Sequence, residues 1–514
     1  MTLHALFRAR AEESPEAEAV IFGQKRISYG ALASEVDRVA RGLHAHGVLE
    51  GDRVLGLAGN TPDVIALYLA VGKLGAVYVP VSSGFREREG RFVLRNAEPK
   101  LAVVEAALLG EFLSWTDGRG PDLVVLGADN ARRRELPAGA ARFEEIGLGV
   151  ADVPAAPVSE EAGLLLCYTS GTTSTPKPVL HSQRSEVYNA RTYSTAWDLG
   201  PGDRGIVSLP LAWVYGLSTT TAALLVSGGT VVLLDRFHPA DVLDAIEEHA
   251  ATAMWGTMSM YTKLLEVIKE RGKADLGSLR VVANGGEPCP PPLVRNFEEH
   301  TGITLLGTYA TSEARPIVLV RPGDEKAPEG SVGQLVPGAE IRLEGPDGGE
   351  VEIGEPGHAL LRCPGLMTAY YGEPELTADR ITPDGWLKTG DILRRDSAGH
   401  YFVVGRESDL IIRSGVNIAP AEVEFALMSH PEIAEAAVVG IPDQRSGEAV
   451  LAFVVAERGA LPGEDEIRHF LAEQVAAYKV PQRFVFVDDL PRTERGKLDR
   501  IALRTRGEDL SPQG

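Results

Sequence analysis

The run Thr169-Ser170-Gly171-Thr172-Thr173-Ser174-Thr175-Pro176-Lys177-Pro178-Val179 gathers hydroxyls at 169, 170, 172 and 173 around one glycine, with an ammonium at 177. Such a loop aims backbone N–H groups, hydroxyl donors and one cation at a single anion, and phosphate is the natural occupant. The spacing GxxxxGK[ST] is not met, so this is not a Walker A loop. The positioning elements flank it. Gly163–Tyr168 is a short apolar run that reads as a buried strand feeding the loop, and Val179-Leu180-His181 resumes a strand-like pattern after it.

Other constellations follow along the chain: Gly285-Gly286-Glu287, Tyr309-Ala310-Thr311-Ser312-Glu313, Trp386-Leu387-Lys388-Thr389-Gly390-Asp391, Gly405-Arg406 and Pro491-Arg492-Thr493-Glu494-Arg495-Gly496-Lys497. Singly, each reads as an ordinary turn or a solvated charge. In order and spacing, from about residue 27 to 503, they resemble the adenylate-forming superfamily of acyl-CoA ligases, luciferases and peptide-synthetase adenylation domains. In that family the first loop usually reads [ST]SGTTGxPKGV.

The resemblance implies roles. Thr169, Ser170, Gly171, Thr172, Thr173 and Lys177 hold the ATP phosphates. Tyr309 and the Gly285-Gly286-Glu287 loop enclose adenine, where glycines let backbone approach a flat base. Asp391 accepts from the ribose hydroxyls and Arg406 is the second ribose contact. Thr311 faces the α-phosphate, and Glu313 holds Mg²⁺, a hard cation that prefers carboxylate oxygen. Lys497 is the catalytic lysine of adenylation, offsetting negative charge in the transition state. Ser408 is the hinge, Gly415 lines the pantetheine tunnel, and Trp213, Tyr215 and Trp255 are candidates for the acyl pocket. The implied reaction has two steps. A carboxylate attacks the α-phosphate of Mg·ATP to give acyl-AMP and pyrophosphate; the C-terminal domain then swings, and the thiol of CoA attacks the mixed anhydride.

Four departures from the family pattern bear on this. Ser174 and Pro178 replace glycines of the phosphate loop. A side chain at positive φ costs roughly 1–2 kcal/mol, and proline removes an N–H donor. Ser408 replaces the usual Asp or Lys, and Trp213 stands where His or another aromatic is common. These changes raise the expectation that adenylation is impaired and that the chain mainly thioesterifies a supplied acyl-adenylate, with a partner enzyme doing the adenylation. Retention of Lys497 and Glu313 opposes it. Two other readings stay open: a stand-alone adenylation enzyme loading a carrier protein, and a non-catalytic nucleotide or acyl binder. No aspartate near the acyl region pairs an α-amino group, which argues against an amino-acid substrate.

Size and composition bound these readings. A chain of 514 residues with 44% hydrophobic content suggests two or three domains and a substantial core. The net charge of −21 disfavours nucleic acid and anionic membranes as partners. Three scattered cysteines, Cys167, Cys289 and Cys363, form neither a disulfide framework nor a zinc pattern, so a reducing cytoplasm is the expected setting. The N-terminus lacks the basic and apolar regions of a signal peptide. Residues 206–234 carry no charge, yet Pro210, Gly216, Gly228 and Gly229 interrupt them, so they read as strand, helix and strand in a core rather than a membrane span. Arginine outnumbers lysine and Ala and Gly are abundant, which points to a GC-rich bacterial genome. A homodimer is the default assembly.

Strands and helices alternate through the first four hundred residues, which predicts an α/β fold with largely parallel, stacked sheets. Short strands punctuated by Gly, Pro and Asp follow from about 330 to 404 (Ser331–Leu335, Ala339–Leu343, Glu350–Ile353, His358–Arg362), predicting a small β-rich subdomain. The expected division is a large N-terminal domain, 1–407, and a small mobile α+β C-terminal domain, 408–514.

Overall fold

The computed structural model describes residues 1–510 except 117, 119, 128–135, 154–156, 170–175, 288, 325–326, 444, 458, 461 and 494–496. Two large sheets dominate its N-terminal part. Among the described residues the first has nine strands. Its centre is parallel, running Leu306–Tyr309, Val281–Asn284, Ala253–Gly256, Arg204–Val207, Thr230–Leu233 and Glu18–Phe22, and short antiparallel strands close both edges. The second has eight strands, with Gly163–Thr169, Val77–Val81, Arg53–Leu57, Leu101–Glu105 and Asp122–Leu126 as parallel neighbours. Strands such as Val77-Tyr78-Val79-Pro80-Val81 are buried at every position, as expected where helices cover both faces. Helices Tyr29–Ala45, Pro62–Lys73 and Ala222–Ser227 supply much of the apolar layer between the sheets.

The uncharged stretch 206–234 takes the strand–helix–strand form, with one difference. Its helix begins as the π-helix Tyr215–Thr221 before becoming α-helical at Ala222–Ser227. The side chains explain the wider turn. The Thr220 and Thr221 hydroxyls both donate to the Gly216 carbonyl, at 2.8 and 2.7 Å, diverting it from the regular ladder. Among the described residues no helix is long and apolar enough to cross a membrane.

A four-stranded antiparallel sheet follows, built from Glu340–Glu344, Pro356–Arg362, Leu387–Arg395 and Tyr401–Arg406. Two expectations need correction here. Gln334–Leu335 is an edge strand of the nine-stranded sheet, not of this one. The segment expected as a strand at Glu350–Ile353 makes only a single bridge, Glu344 to Glu350, next to the Gly345–Gly349 turn. The C-terminal part begins after the short 3₁₀ turn Glu407–Asp409. Its five-stranded sheet contains the long hairpin Ile433–Asp443/Gly447–Ala456 and is covered by helices Pro420–Met428, Glu464–Gln474 and Arg500–Asp509. The fold is therefore mixed α/β, with a large N-terminal domain of several sheets and a smaller C-terminal domain.

Candidate active site

Strands Ala253–Gly256, Val281–Asn284 and Leu306–Tyr309 run parallel, so their C-terminal ends open at one sheet edge, where ligands of such sheets collect. Gly285 leaves the middle strand with its amide donating to the Gly256 carbonyl at 3.1 Å. A Cβ there would meet Thr308 Cγ2 at 2.8 Å and the Tyr215 hydroxyl at 3.1 Å, and Gly286 follows at φ +86°. The position accepts glycine alone without rearrangement. Glu287 accepts from the Ser259 amide at 2.8 Å. Burial raises its carboxyl above the usual range, opposed by the Ser259 hydrogen bond and by the charges of Arg492 and Lys497. Residues distant in sequence are thus within electrostatic reach: the charges of Arg492 and Lys497 act on Glu287 at the sheet edge.

Tyr309 ends its strand with its hydroxyl donating to Asp391 Oδ2 at 2.7 Å, and Arg406 Nε lies 2.9 Å from Asp391 Oδ1. Asp391 is 4% exposed, and its amide donates to Thr389 Oγ1 at 2.9 Å. Burial and the adjacent carboxylate hold the Tyr309 phenol well above its ordinary value, so it stays a donor.

Beyond Tyr309 the chain turns tightly. The Thr311 amide donates to the Ala314 carbonyl at 3.0 Å, and the Ala314 amide donates to Thr311 Oγ1 at 3.0 Å. Glu313 Oε1 accepts from the Tyr370 hydroxyl at 2.8 Å. Lys177 Nζ lies 5.8 Å from the centre of the Tyr370 ring. Burial lowers the Lys177 ammonium, Glu313 opposes that, and Arg380 and Arg406 push it lower still. Lys177, Arg380 and Arg406 therefore share one neighbourhood with the carboxylates of Glu313, Asp379 and Asp391, a concentration of cationic groups that an anionic ligand could engage. Arg380 and Tyr370 were not anticipated. Arg380 ends an ordinary charged helix, Pro374–Arg380, and its approach to within 3.9 Å of the Gly390 Cβ direction leaves no local mark in the sequence.

Thr169 and Lys177 are opposite each other in the antiparallel pair Gly163–Thr169/Lys177–Ser182. Ser170, Gly171, Thr172, Thr173 and Ser174 lie outside the described residues. Pro178 is inside the second strand, opposite Tyr168, and its carbonyl accepts from the Tyr371 amide at 2.7 Å. The amide and carbonyl of one strand residue point the same way, so the missing N–H of Pro178 faces the Ala369–Tyr370 edge strand. The donor lost to proline is an edge donor.

The three aromatic residues expected at an acyl pocket part company. Trp213 is half-buried just before the π-helix, with its amide bonded to the Pro210 carbonyl at 3.0 Å. Tyr215 reaches the Gly285 loop, its hydroxyl 3.3 Å from the Ala283 carbonyl. Trp255 is 1% exposed, its ring 5.4 Å from that of Trp197 and packed against Gly205. That is a core position, and the reason is its strand: both faces are buried, so an aromatic there has no open side.

Ser408 is exposed in the 3₁₀ turn and donates to Asp409 Oδ1 at 3.0 Å. Asp409 pairs with Arg500 at 3.5 Å, and Arg500 is held by Glu424 at 2.7 and 3.0 Å. Gly415 heads the turn between strands Ile411–Arg413 and Val416–Ile418 at φ +80°, with no heavy atom within 4 Å of its Cβ direction. Gly415 is exposed at this turn, and the charge of Lys497 acts on Glu287. Among the described residues no group of three or more His, Cys, Asp or Glu could hold a metal. A lone Glu313 carboxylate fits Mg²⁺ that takes most of its ligands from phosphate and water.

Comparison with known proteins agrees with this geometry. Residues 7–371 match the family model described as AMP-binding enzyme, and residues 422–497 match that of the AMP-binding enzyme C-terminal domain. The chain is 35% identical to an indoleacetate–CoA ligase of Aromatoleum aromaticum, covering 95% of each chain. It is also 35% identical to a feruloyl-CoA synthase of an Amycolatopsis species, over 97% of each. ATP-bound MatB from Rhodopseudomonas palustris superposes with a TM-score of 0.90 at 29% identity, covering 99% of this chain and 100% of that one. The chain belongs to the AMP-binding enzymes of the adenylate-forming superfamily, among the acid–thiol ligases that make CoA thioesters.

Proposed function

We propose that the chain activates an aromatic carboxylic acid with ATP and transfers the acyl group to CoA, retaining both half-reactions. The observation that carries this is the gathering of Lys177, Arg380 and Arg406 within electrostatic reach of Glu313, with the Tyr215 ring set against the Gly285 loop. The relatives' names, an indoleacetate ligase and a feruloyl-CoA synthase, point to the same acid class.

In this reading Gly285-Gly286-Glu287 and Tyr309 flank adenine, while Asp391 and Arg406 take the ribose hydroxyls. Thr311 donates to the α-phosphate. Thr169, the hydroxyls of the following loop, Lys177 and Arg380 hold the departing pyrophosphate. Glu313 would hold a Mg²⁺, which would supply positive charge near the phosphate oxygens. Lys497 offsets the charge that builds as a carboxylate oxygen bonds to the α-phosphorus and the bond to pyrophosphate breaks. Rotation about Ser408 then exchanges the Lys497 segment for the Gly415 hairpin, and the thiol sulfur attacks the acyl carbonyl as AMP leaves.

Pro178 does not weaken this reading, since its lost donor faces the sheet edge. Ser174 is the substitution that favours a thioesterification-only enzyme. One experiment separates them: a panel of aromatic acids assayed for ATP–pyrophosphate exchange, for CoA thioester from acid plus ATP, and for CoA thioester from synthetic acyl-AMP. We expect all three signals with the same acid. Thioester from acyl-AMP without exchange would establish the thioesterification-only reading. Exchange with acyl transfer only to a phosphopantetheinylated carrier would sink the CoA assignment.

A further inference from the structure

Behind the Thr311–Glu313 turn lies a buried ion pair that the reaction scheme does not use. Arg315 and Glu186 are 2% and 1% exposed, and Arg315 Nη2 donates to Glu186 Oε1. Arg315 Nη1 donates to the Ser312 carbonyl at 3.0 Å, and His181 Nε2 lies 2.7 Å from the same carbonyl and 2.5 Å from Nη1. Burial and the neighbouring guanidinium hold His181 well below its usual value, so the imidazole is neutral. Glu186 Oε2 accepts from the Tyr68 hydroxyl at 2.8 Å and from the Ser218 hydroxyl at 2.5 Å. Ser218 belongs to the π-helix Tyr215–Thr221, and Asn189 Nδ2 donates to its carbonyl at 2.7 Å.

One guanidinium therefore ties three elements together: the nucleotide turn through Ser312, the helix Gln183–Ala196 through Glu186, and the π-helix through Ser218. Stability is a poor account of it. A buried ion pair seldom outperforms an apolar pair of similar volume. This one also leaves Arg315 Nε and Asn189 Oδ1 buried with no hydrogen-bond partner among the described residues, and a partly satisfied network is a cost. What the fork offers is geometry: several donors fixed in one plane, which a lysine cannot reproduce.

We propose that Arg315, held by Glu186, is a positioning residue that fixes the Thr311–Glu313 turn against the π-helix that begins with Tyr215. The inference rests on the reading of Thr311 and Glu313 as phosphate- and metal-facing groups. Without the strut, the Ser312 carbonyl loses the guanidinium and is left to His181, and the groups meant for the α-phosphate and Mg²⁺ lose their fixed position against the π-helix. Nucleotide affinity then falls although the fold persists.

The test measures binding of α,β-methylene-ATP with Mg²⁺ by calorimetry, together with the melting temperature of the unliganded protein. Wild type is compared with Arg315→Lys and with the double variant Arg315→Met/Glu186→Gln, which removes both charges together. The double variant is expected to melt within about 3 °C of wild type, since paired replacement leaves no lone buried charge. Its affinity is expected to be at least about tenfold weaker, with Arg315→Lys recovering part of the loss. Unchanged affinity in a folded double variant overturns the inference. If the double variant does not fold, Arg315→Lys decides: weaker binding supports the strut, and wild-type binding overturns it. Failure of the wild-type protein itself to bind the nucleotide sinks the ligase reading together with this inference.

Discussion

Lys497 and Glu287 make the most direct claims at the scale of single residues. Lys497→Ala is expected to reduce ATP–pyrophosphate exchange by roughly 10²–10³-fold, the size of loss seen when one transition-state donor is removed. Thioester formation from supplied acyl-AMP should be nearly unchanged, and loss of both signals would contradict an adenylation-only role. Glu287 is a carboxyl whose folded value lies above 4.5, chiefly through burial. Its protonated form is therefore favoured by folding, and stability is lost as pH rises from the unfolded value through the folded one. Glu287→Gln removes that loss. The variant should melt above wild type at neutral pH, with the difference closing below about pH 4.5; a constant difference across pH would refute the burial account. Arg315 and Arg380 show what one chain of letters hides at this scale. Arg315 meets Glu186 across 129 positions, and no local spacing announces that approach. Lys177, Glu313 and Asp391 could be named beforehand because each sits inside a short patterned run.

Elements hold these groups at fixed distances, and glycine decides one of those distances. Gly285→Ala would press a methyl against Thr308 and the Tyr215 hydroxyl. The expected result is a stability loss of about 1–3 kcal/mol, typical of overpacking, with a simultaneous drop in nucleotide affinity. Calorimetric titration beside thermal melting checks it, and unaltered binding would show that the loop does not approach the base. The strand–loop–strand around Lys177 and the strand Ala253–Gly256 were legible from apolar runs. Which face of the latter strand Trp255 occupies was not, because a strand buried on both sides carries no alternation to read. Glu350–Ile353 misled as well: its alternation suits a strand, yet next to the glycine-rich turn it makes only a single bridge. The π-turn at Tyr215 was hidden because it depends on two threonine hydroxyls choosing one carbonyl.

For the whole molecule, net charge and domain exchange are the governing quantities. With a net charge of −21, the surface repels ATP and CoA at long range. Raising ionic strength from about 0.01 to 0.15 M shortens the screening length from roughly 30 to 8 Å, so KM for CoA should fall over that interval. A rise would mean that local cations dominate the encounter. Ser408→Pro should leave exchange intact and slow thioester formation by about tenfold or more if turnover requires rotation there; equal loss of both would remove Ser408 as the pivot. The influence of the Lys497 charge on Glu287 adds a matter of timing. Lys497 is exposed to solvent, and attractions involving exposed charges are weak. A fastening of that strength opens thermally and often, so the closed arrangement acts as a short-lived dwell rather than a resting state. Its lifetime must outlast acyl-adenylate formation yet end before water reaches the anhydride, and the Glu287 carboxylate is one of the groups that bear on this clock.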